Sequence, residues 1–115
     1  MVADLSFISL RKVLGPILAC VAPSFDALVM VKPQFEVGRE RVGKGGVVRA
    51  PADRRAALVA VAACARDLGA AVMGFAPSRL PGPKGNLETF VWLAEGGRGP
   101  DLRDLAAVVA TVDGA

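Results

Sequence analysis

Lys32 ends the apolar run ALVMV and is followed at once by Pro33, so a strand that reads as fully buried delivers an amine at its tip. Two carboxylates occupy comparable places. Asp4 closes the apolar stub at the amino terminus, and Glu88 stands near the start of the run LETFVWLA. The chain has no histidine and no tyrosine. Ser-His-Asp triads, Cys-His dyads and histidine-ligated zinc are therefore excluded, and acid–base chemistry falls to Lys, Asp or Glu. Cys20 and Cys64 lack metal-ligand spacing and read as reduced core thiols. Each charged residue also has a plain structural reading. Lys32 is then a solvated strand-end lysine, Glu88 an exposed strand residue, and Asp4 a helix cap whose task Ser6 or Ser9 can take instead.

Downstream of Lys32 the chain turns basic and glycine-rich. Between Lys32 and Arg49 stand five basic residues (Lys32, Arg39, Arg41, Lys44, Arg49) and two acidic ones (Glu36, Glu40), so this segment carries the whole formal excess of +3. Glycines allow close backbone approach and the cations suit phosphate, so a polyanion would be met here. No GK[ST] follows the glycines, which argues against a nucleoside triphosphate site. Otherwise the charges keep a surface loop soluble.

The elements that must position these residues follow from periodicity. With 115 residues, 53% hydrophobic residues and a mean hydropathy of +0.46, the chain makes one domain with one core. No apolar run reaches the roughly 20 residues that span a bilayer, and Met1 leads into VADLSF without a basic leader, so no membrane is involved and a cytoplasmic location is expected. Spacing of Leu10, Val13, Leu14, Ile17, Leu18 and Val21 predicts a helix over 8–22, kinked at Gly15-Pro16. The run 26–32 predicts a parallel strand covered on both faces. A helix over 52–68 opens at Pro51 and closes at Gly69, with Leu58, Val61, Ala62, Ala65 and Leu68 inward. Short strands follow at 70–76 and 87–94, joined by the loop SRLPGPKGN. A last helix spans 101–112 with Leu102, Leu105, Ala106 and Val109 inward. Phe90 and Trp92 share a strand face and read as core.

The order β-α-β-α-β-β-α describes an α/β sheet, mostly parallel, whose last strand returns antiparallel because its connection is too short for a crossover. Ligands of such sheets bind at the carboxyl ends of parallel strands. Asp4 and Lys32 lie at such ends, and Glu88, near the start of the reversed strand, lies on the same edge. The three converge on one rim.

The blocks VADLSFISL, VKPQFEVGRERVGKGGVVR and LPGPKGNLETFVWL, in this order and spacing over residues 2–93, resemble the FtsJ-like ribosomal RNA ribose 2′-O-methyltransferases, in particular their hemolysin-A (TlyA) branch. The resemblance implies an S-adenosylmethionine (SAM) dependent enzyme acting on ribosomal RNA or a ribosomal subunit. Its catalytic set is Lys-Asp-Lys-Glu, which places the Asp on Asp4, the second Lys on Lys32 and the Glu on Glu88. Arg39, Arg41, Lys44, Arg49 and Lys84 become the RNA-facing cations. Chemically, the sulfonium already activates the methyl group, and the remaining task is to orient or deprotonate a ribose hydroxyl for in-line attack.

Departures bound what is carried over. The family's first catalytic lysine and its SAM-binding glycine loop lie upstream of the first block, and no glycine turn follows an early strand here. The S4-type RNA-binding domain of the branch is not represented either. Residues 1–115 are thus expected to form the carboxyl-terminal half of a Rossmann-like methyltransferase sheet, with part of the cofactor pocket. Ala50, Lys84 and Thr89 also differ from the family pattern. The alternative is a catalytically inactive fragment that binds RNA or self-associates through an exposed amino-terminal edge strand.

Overall fold

A computed structural model describes residues 2–3, 9–36, 48, 50–81, 87–99 and 104–109. The elements are β1 (Val2–Ala3), α1 (Leu10–Ala19), β2 (Asp26–Val31), a 3-10 turn (Pro33–Phe35), α2 (Pro51–Asp67), β3 (Ala71–Pro81), β4 (Leu87–Ala94) and α3 (Leu105–Val109). They form a four-stranded sheet in the order β1-β2-β4-β3. β4 pairs antiparallel with both β2 and β3, whereas β1 pairs parallel with β2 through Val2–Leu28 and Ala3–Val29. The final strand thus inserts between β2 and β3, and antiparallel ladders replace most of the expected parallel pairing.

Local chemistry explains the helix ends. Ser9 caps α1 by accepting the Arg11 backbone N–H at 3.2 Å. The helix continues past Pro16, although that residue removes one backbone donor. α2 opens on Pro51 and ends in a Schellman motif: Ala70 N–H reaches the Ala65 carbonyl at 3.1 Å and Gly69 N–H the Arg66 carbonyl at 2.9 Å. Gly69 adopts φ 94°, the left-handed conformation this motif requires. Leu68, expected inward, is the cap residue past the last turn and is exposed.

The main core unites the helices with one face of the sheet, and a small second buried cluster joins Ala71, Met73 and Ala94. Leu14 of α1, Ala57, Leu58, Val61, Ala62 and Ala65 of α2, and Leu105 of α3 meet Ala27, Val29, Val31, Val72, Val91 and Leu93. The opposite face differs from expectation. β2 alternates rather than being covered on both sides, and Leu28 and Trp92, directly opposed in the ladder, are each 40% exposed. Phe90 and Trp92 do share a face, but it is this open one, so neither belongs to the core. Both cysteines are free; half-buried Cys64 packs against the core, whereas Cys20 is exposed and is not a core thiol.

A polar network closes the sheet end remote from Lys32. Trp92 Nε1–H donates to Asp26 Oδ1 at 2.9 Å, and Arg98 donates to the same oxygen and to the Phe25 carbonyl. Glu95 accepts from the Phe25 N–H at 2.9 Å and Ser24 Oγ–H at 3.3 Å; it also pairs with Arg98 Nε at 3.1 Å, although that N–H is not aimed at it. The Trp92 and Arg98 hydrogen bonds hold the Asp26 carboxyl below its ordinary range, and the Phe25 N–H does the same for Glu95. Carboxylates depressed on folding contribute stability above their unfolded pKa values, about 3.9 for Asp and 4.3 for Glu, and lose it as pH falls through the folded values. The urea midpoint is therefore expected to fall as pH drops below about 4.5, and Asp26→Asn to flatten that slope. An acid slope identical in the variant would remove Asp26 from it.

Candidate active-site rim

Antiparallel pairing of β2 with β4 brings Lys32 and Glu88 together. The last registered pair is Val31–Thr89, and one step further along each strand stand the two charged residues. Lys32 Nζ lies 4.0 Å from Glu88 Oε2, with side-chain exposures of 9% and 7%. At that distance the pair is an ion pair rather than a hydrogen bond, and Glu88 Oε2 is a buried acceptor without a hydrogen-bond partner. Burying a polar atom is costly unless it is compensated, and the Glu88 oxygen forgoes a hydrogen bond. The gap and the unused acceptor suit a small hydroxyl-bearing group.

The backbone after Lys32 is fixed in place. Phe35 N–H bonds the Lys32 carbonyl at 3.0 Å and Glu36 N–H the Pro33 carbonyl at 3.0 Å, closing a tight turn. Glu36, whose side chain is 1% exposed, then locks this turn onto the start of α1. It accepts Ser9 Oγ–H at 2.6 Å and a long bond from Arg11 Nε at 3.4 Å, while Arg11 also donates to the Glu36 carbonyl at 2.9 Å. The segment following β1 and the segment following β2 are thereby tied at one rim.

Of the sequence-predicted residues, the structure brings together Lys32 and Glu88. Asp4, Arg39, Arg41, Lys44, Arg49 and Lys84 lie outside the described residues. Sequence reasoning missed the Ser9–Glu36–Arg11 lock, whose signal was available: Glu36 follows Lys32 by four residues within KPQFE. It also missed Arg54 in the first turn of α2, which lines a tight cleft with Val31, Pro33, Leu58, Leu87 and Thr89. Burial, and then the neighbouring Arg55, lower the Arg54 pKa.

The family model for FtsJ-like methyltransferases matches residues 1–95. The chain belongs to that family. Over 92 residues it is 51% identical to the 16S/23S rRNA (cytidine-2′-O)-methyltransferase TlyA of Mycobacterium tuberculosis, covering 80% of this chain and 34% of that protein. Over 102 residues it is 38% identical to the candidate rRNA methyltransferase YqxC of Bacillus subtilis, covering 86% of this chain and 36% of that one. Candidate hemolysins from Streptococcus thermophilus and Lactococcus lactis superpose with a TM-score of 0.83 each, at 34% and 32% identity. Both alignments cover 95% of this chain, but 40% and 53% of those chains. The chain thus spans about a third of the length of the curated relatives.

SAM is the cofactor this family implies. Among the described residues, the unused Glu88 Oε2 beside the Lys32 amine is polar capacity that a group bound at the rim could use, and the tight cleft at Val31, Leu87 and Thr89 lies on the other face of the sheet. The described residues include no cluster of three or more metal-ligating side chains.

Proposed function

We propose that the chain is the part of a SAM-dependent ribosomal RNA ribose 2′-O-methyltransferase that holds the reacting hydroxyl. Its fold in this reading is the carboxyl-terminal half of a Rossmann-like methyltransferase sheet. The observation that carries it is the buried Lys32–Glu88 pair, 4.0 Å apart with a carboxylate oxygen left without a hydrogen bond. A ribose 2′-OH placed there donates to Glu88 or meets the Lys32 amine. The ammonium form orients the oxygen by donating to it, and the neutral form accepts its proton. Glu88 offsets the charge on Lys32, and Asp4 would supply the second carboxylate. SAM, when bound, supplies the methyl group on a sulfonium. Most of the rate then comes from positioning, for which a near-attack geometry contributes roughly 7–11 kcal/mol. The names of TlyA and YqxC support ribosomal RNA as substrate. A cytoplasmic location follows from that substrate.

The test is methyl transfer itself. Label from the SAM methyl is followed into ribosomal RNA with the chain joined to the remainder of TlyA, in place of the matched residues. The expected product is an alkali-resistant dinucleotide, since a methylated 2′ oxygen cannot attack the neighbouring phosphate. Label on a base, or none at all, would overturn the reading. RNA binding with a steep salt dependence but no transfer would favour the inactive RNA-binding module, and a concentration-dependent dimer the self-associating one.

Arg39, Arg41, Lys44, Arg49 and Lys84 are proposed to hold RNA phosphates. Replacing Arg39 and Arg41 together by alanine is expected to weaken RNA binding about tenfold at moderate salt. The slope of log affinity against log salt should become shallower by about 1.4–1.8, as expected for two lost phosphate contacts. Filter binding across a salt series checks this; an unchanged slope dismisses the assignment.

A further inference from the structure

We infer that Glu36, through its bonds to Ser9 and Arg11, is a positioning residue for Lys32 and holds the amine in the place from which it meets the substrate hydroxyl. The inference rests on the function proposed above and gives a role to a buried carboxylate which that mechanism leaves unused.

A carboxylate taken out of water destabilises unless its oxygens are bonded, and the Glu36 side chain is 1% exposed. Its Oε1 accepts the Ser9 hydroxyl at 2.6 Å, a short charge-assisted bond, and the longer bond from Arg11 Nε at 3.4 Å. Arg11 also donates to the Glu36 main-chain carbonyl at 2.9 Å, so one residue of α1 grips both the side chain and the backbone. Ser9 has two tasks here. Its oxygen accepts the Arg11 backbone N–H that caps α1, and its proton goes to Glu36. Movement of Glu36 is thereby opposed by the start of the helix.

The three residues between Lys32 and Glu36 carry this anchorage to the amine. Pro33 is buried and has a fixed φ. Phe35 N–H on the Lys32 carbonyl and Glu36 N–H on the Pro33 carbonyl, both at 3.0 Å, close the turn and leave little slack between anchor and lysine. On its other side Lys32 follows Val31, which is registered with Thr89. The Lys32 backbone is thus clamped between a ladder and an anchored turn. The clamp matters because Glu88 does not aim the amine: at 4.0 Å its oxygen attracts the ammonium without a hydrogen bond to direct it. A displacement of about 1 Å at a reacting group costs on the order of 100-fold in rate.

A carboxylate that only stabilised the fold would change how much protein is folded and leave Lys32 in the folded molecules alone. The chain has four lysines, so [6-13C]lysine labelling gives four Cε signals, and that of Lys32 is the one lost in Lys32→Arg. Carbon relaxation at Cε reports how firmly each side chain is held, with exposed Lys12 as the free reference. Lys32 is expected to be well ordered in the parent chain and to approach the mobility of Lys12 in Glu36→Ala. Glu36→Gln, whose amide oxygen still accepts the Ser9 hydroxyl, should keep most of the order. Ser9→Ala breaks the same bond while keeping the charge; it should loosen Lys32 too, and it decides the matter if Glu36→Ala does not fold. An unchanged Lys32 overturns the inference. So does equal loosening in Glu36→Gln, since the charge and not the bonded anchor would then be at work. In the TlyA protein whose matched residues are replaced by those of this chain, Glu36→Ala should slow single-turnover methyl transfer about 30- to 100-fold, with Glu36→Gln restoring most of the rate. RNA and SAM affinities should stay within about twofold, because the lost interaction serves the reacting geometry and not binding. A loss confined to affinity overturns the positioning role. If the joined parent protein transfers no methyl, the proposed activity fails while the Lys32 relaxation still decides the inference; transfer by the parent with Lys32 unmoved in Glu36→Ala leaves the activity standing and removes Glu36 from it.

Discussion

Replacing Lys32 by alanine is expected to lower methyl transfer to ribosomal RNA by about a thousandfold or more in the joined TlyA protein, with RNA affinity nearly unchanged. Acid–base catalysis by one positioned side chain contributes about 10²–10⁴, and loss of the group that orients the nucleophile adds to it. The substitution also leaves the Glu88 carboxylate, 7% exposed, without the ammonium 4.0 Å away. Removing one partner of a buried pair destabilises, because the remaining charge keeps its desolvation penalty. A drop in stability is therefore expected, and by itself it would confuse the kinetics. The double variant Lys32→Ala with Glu88→Gln separates the two effects: the neutral amide should recover much of the stability while transfer stays lost. Thermal melts and single-turnover label transfer measure the two quantities on the same samples. More than a tenth of the transfer surviving in Lys32→Ala would remove the amine from the chemistry.

The strand ends that set this geometry were legible because proline and glycine punctuate them. β4 spans 87–94 as the pattern predicts, and α2 starts at Pro51 and stops before Gly69. The Lys32–Glu88 encounter followed from one further step, that a short connection forces β4 to run back along the sheet. What could not be read was the place of β4 in the sheet. Insertion between β2 and β3 depends on the pairing of whole strands, and no local signal encodes it. β3 was expected to stop at Ala76 yet continues to Pro81, because it is an edge strand in the described sheet and can carry Pro77 and Pro81 without losing a central ladder bond.

The open face was hidden for a related reason. Leu28, Val29, Met30 and Val31 are apolar at every position, and such a run reads as covered on both sides. In the structure only alternate residues reach the core. The lock of Glu36 on Ser9 and Arg11 was obscured differently. Its residues are 25 and 27 positions apart, and a glutamate in a basic loop reads as solvated charge until its burial is known.

That asymmetry between the faces sets the second large effect, on stability. Leu93→Ala is expected to destabilise the isolated chain by about 2–5 kcal/mol, the range for removing a buried leucine whose cavity cannot collapse. Leu93 is fully buried on β4, facing Ala27 on one side and Val72 on the other, so the space it fills is bounded by paired strands and by the helices of the core. Small domains have total stabilities of about 5–15 kcal/mol, so this one change would remove a large part of the margin. Leu28→Ala, one strand away on the open face, should cost below about 1 kcal/mol, because a side chain already 40% exposed gives up less burial. Urea titrations followed by circular dichroism would read both. Comparable losses at the two positions would mean that the second face is packed as tightly as the first in the isolated chain, against the 40% exposure of Leu28.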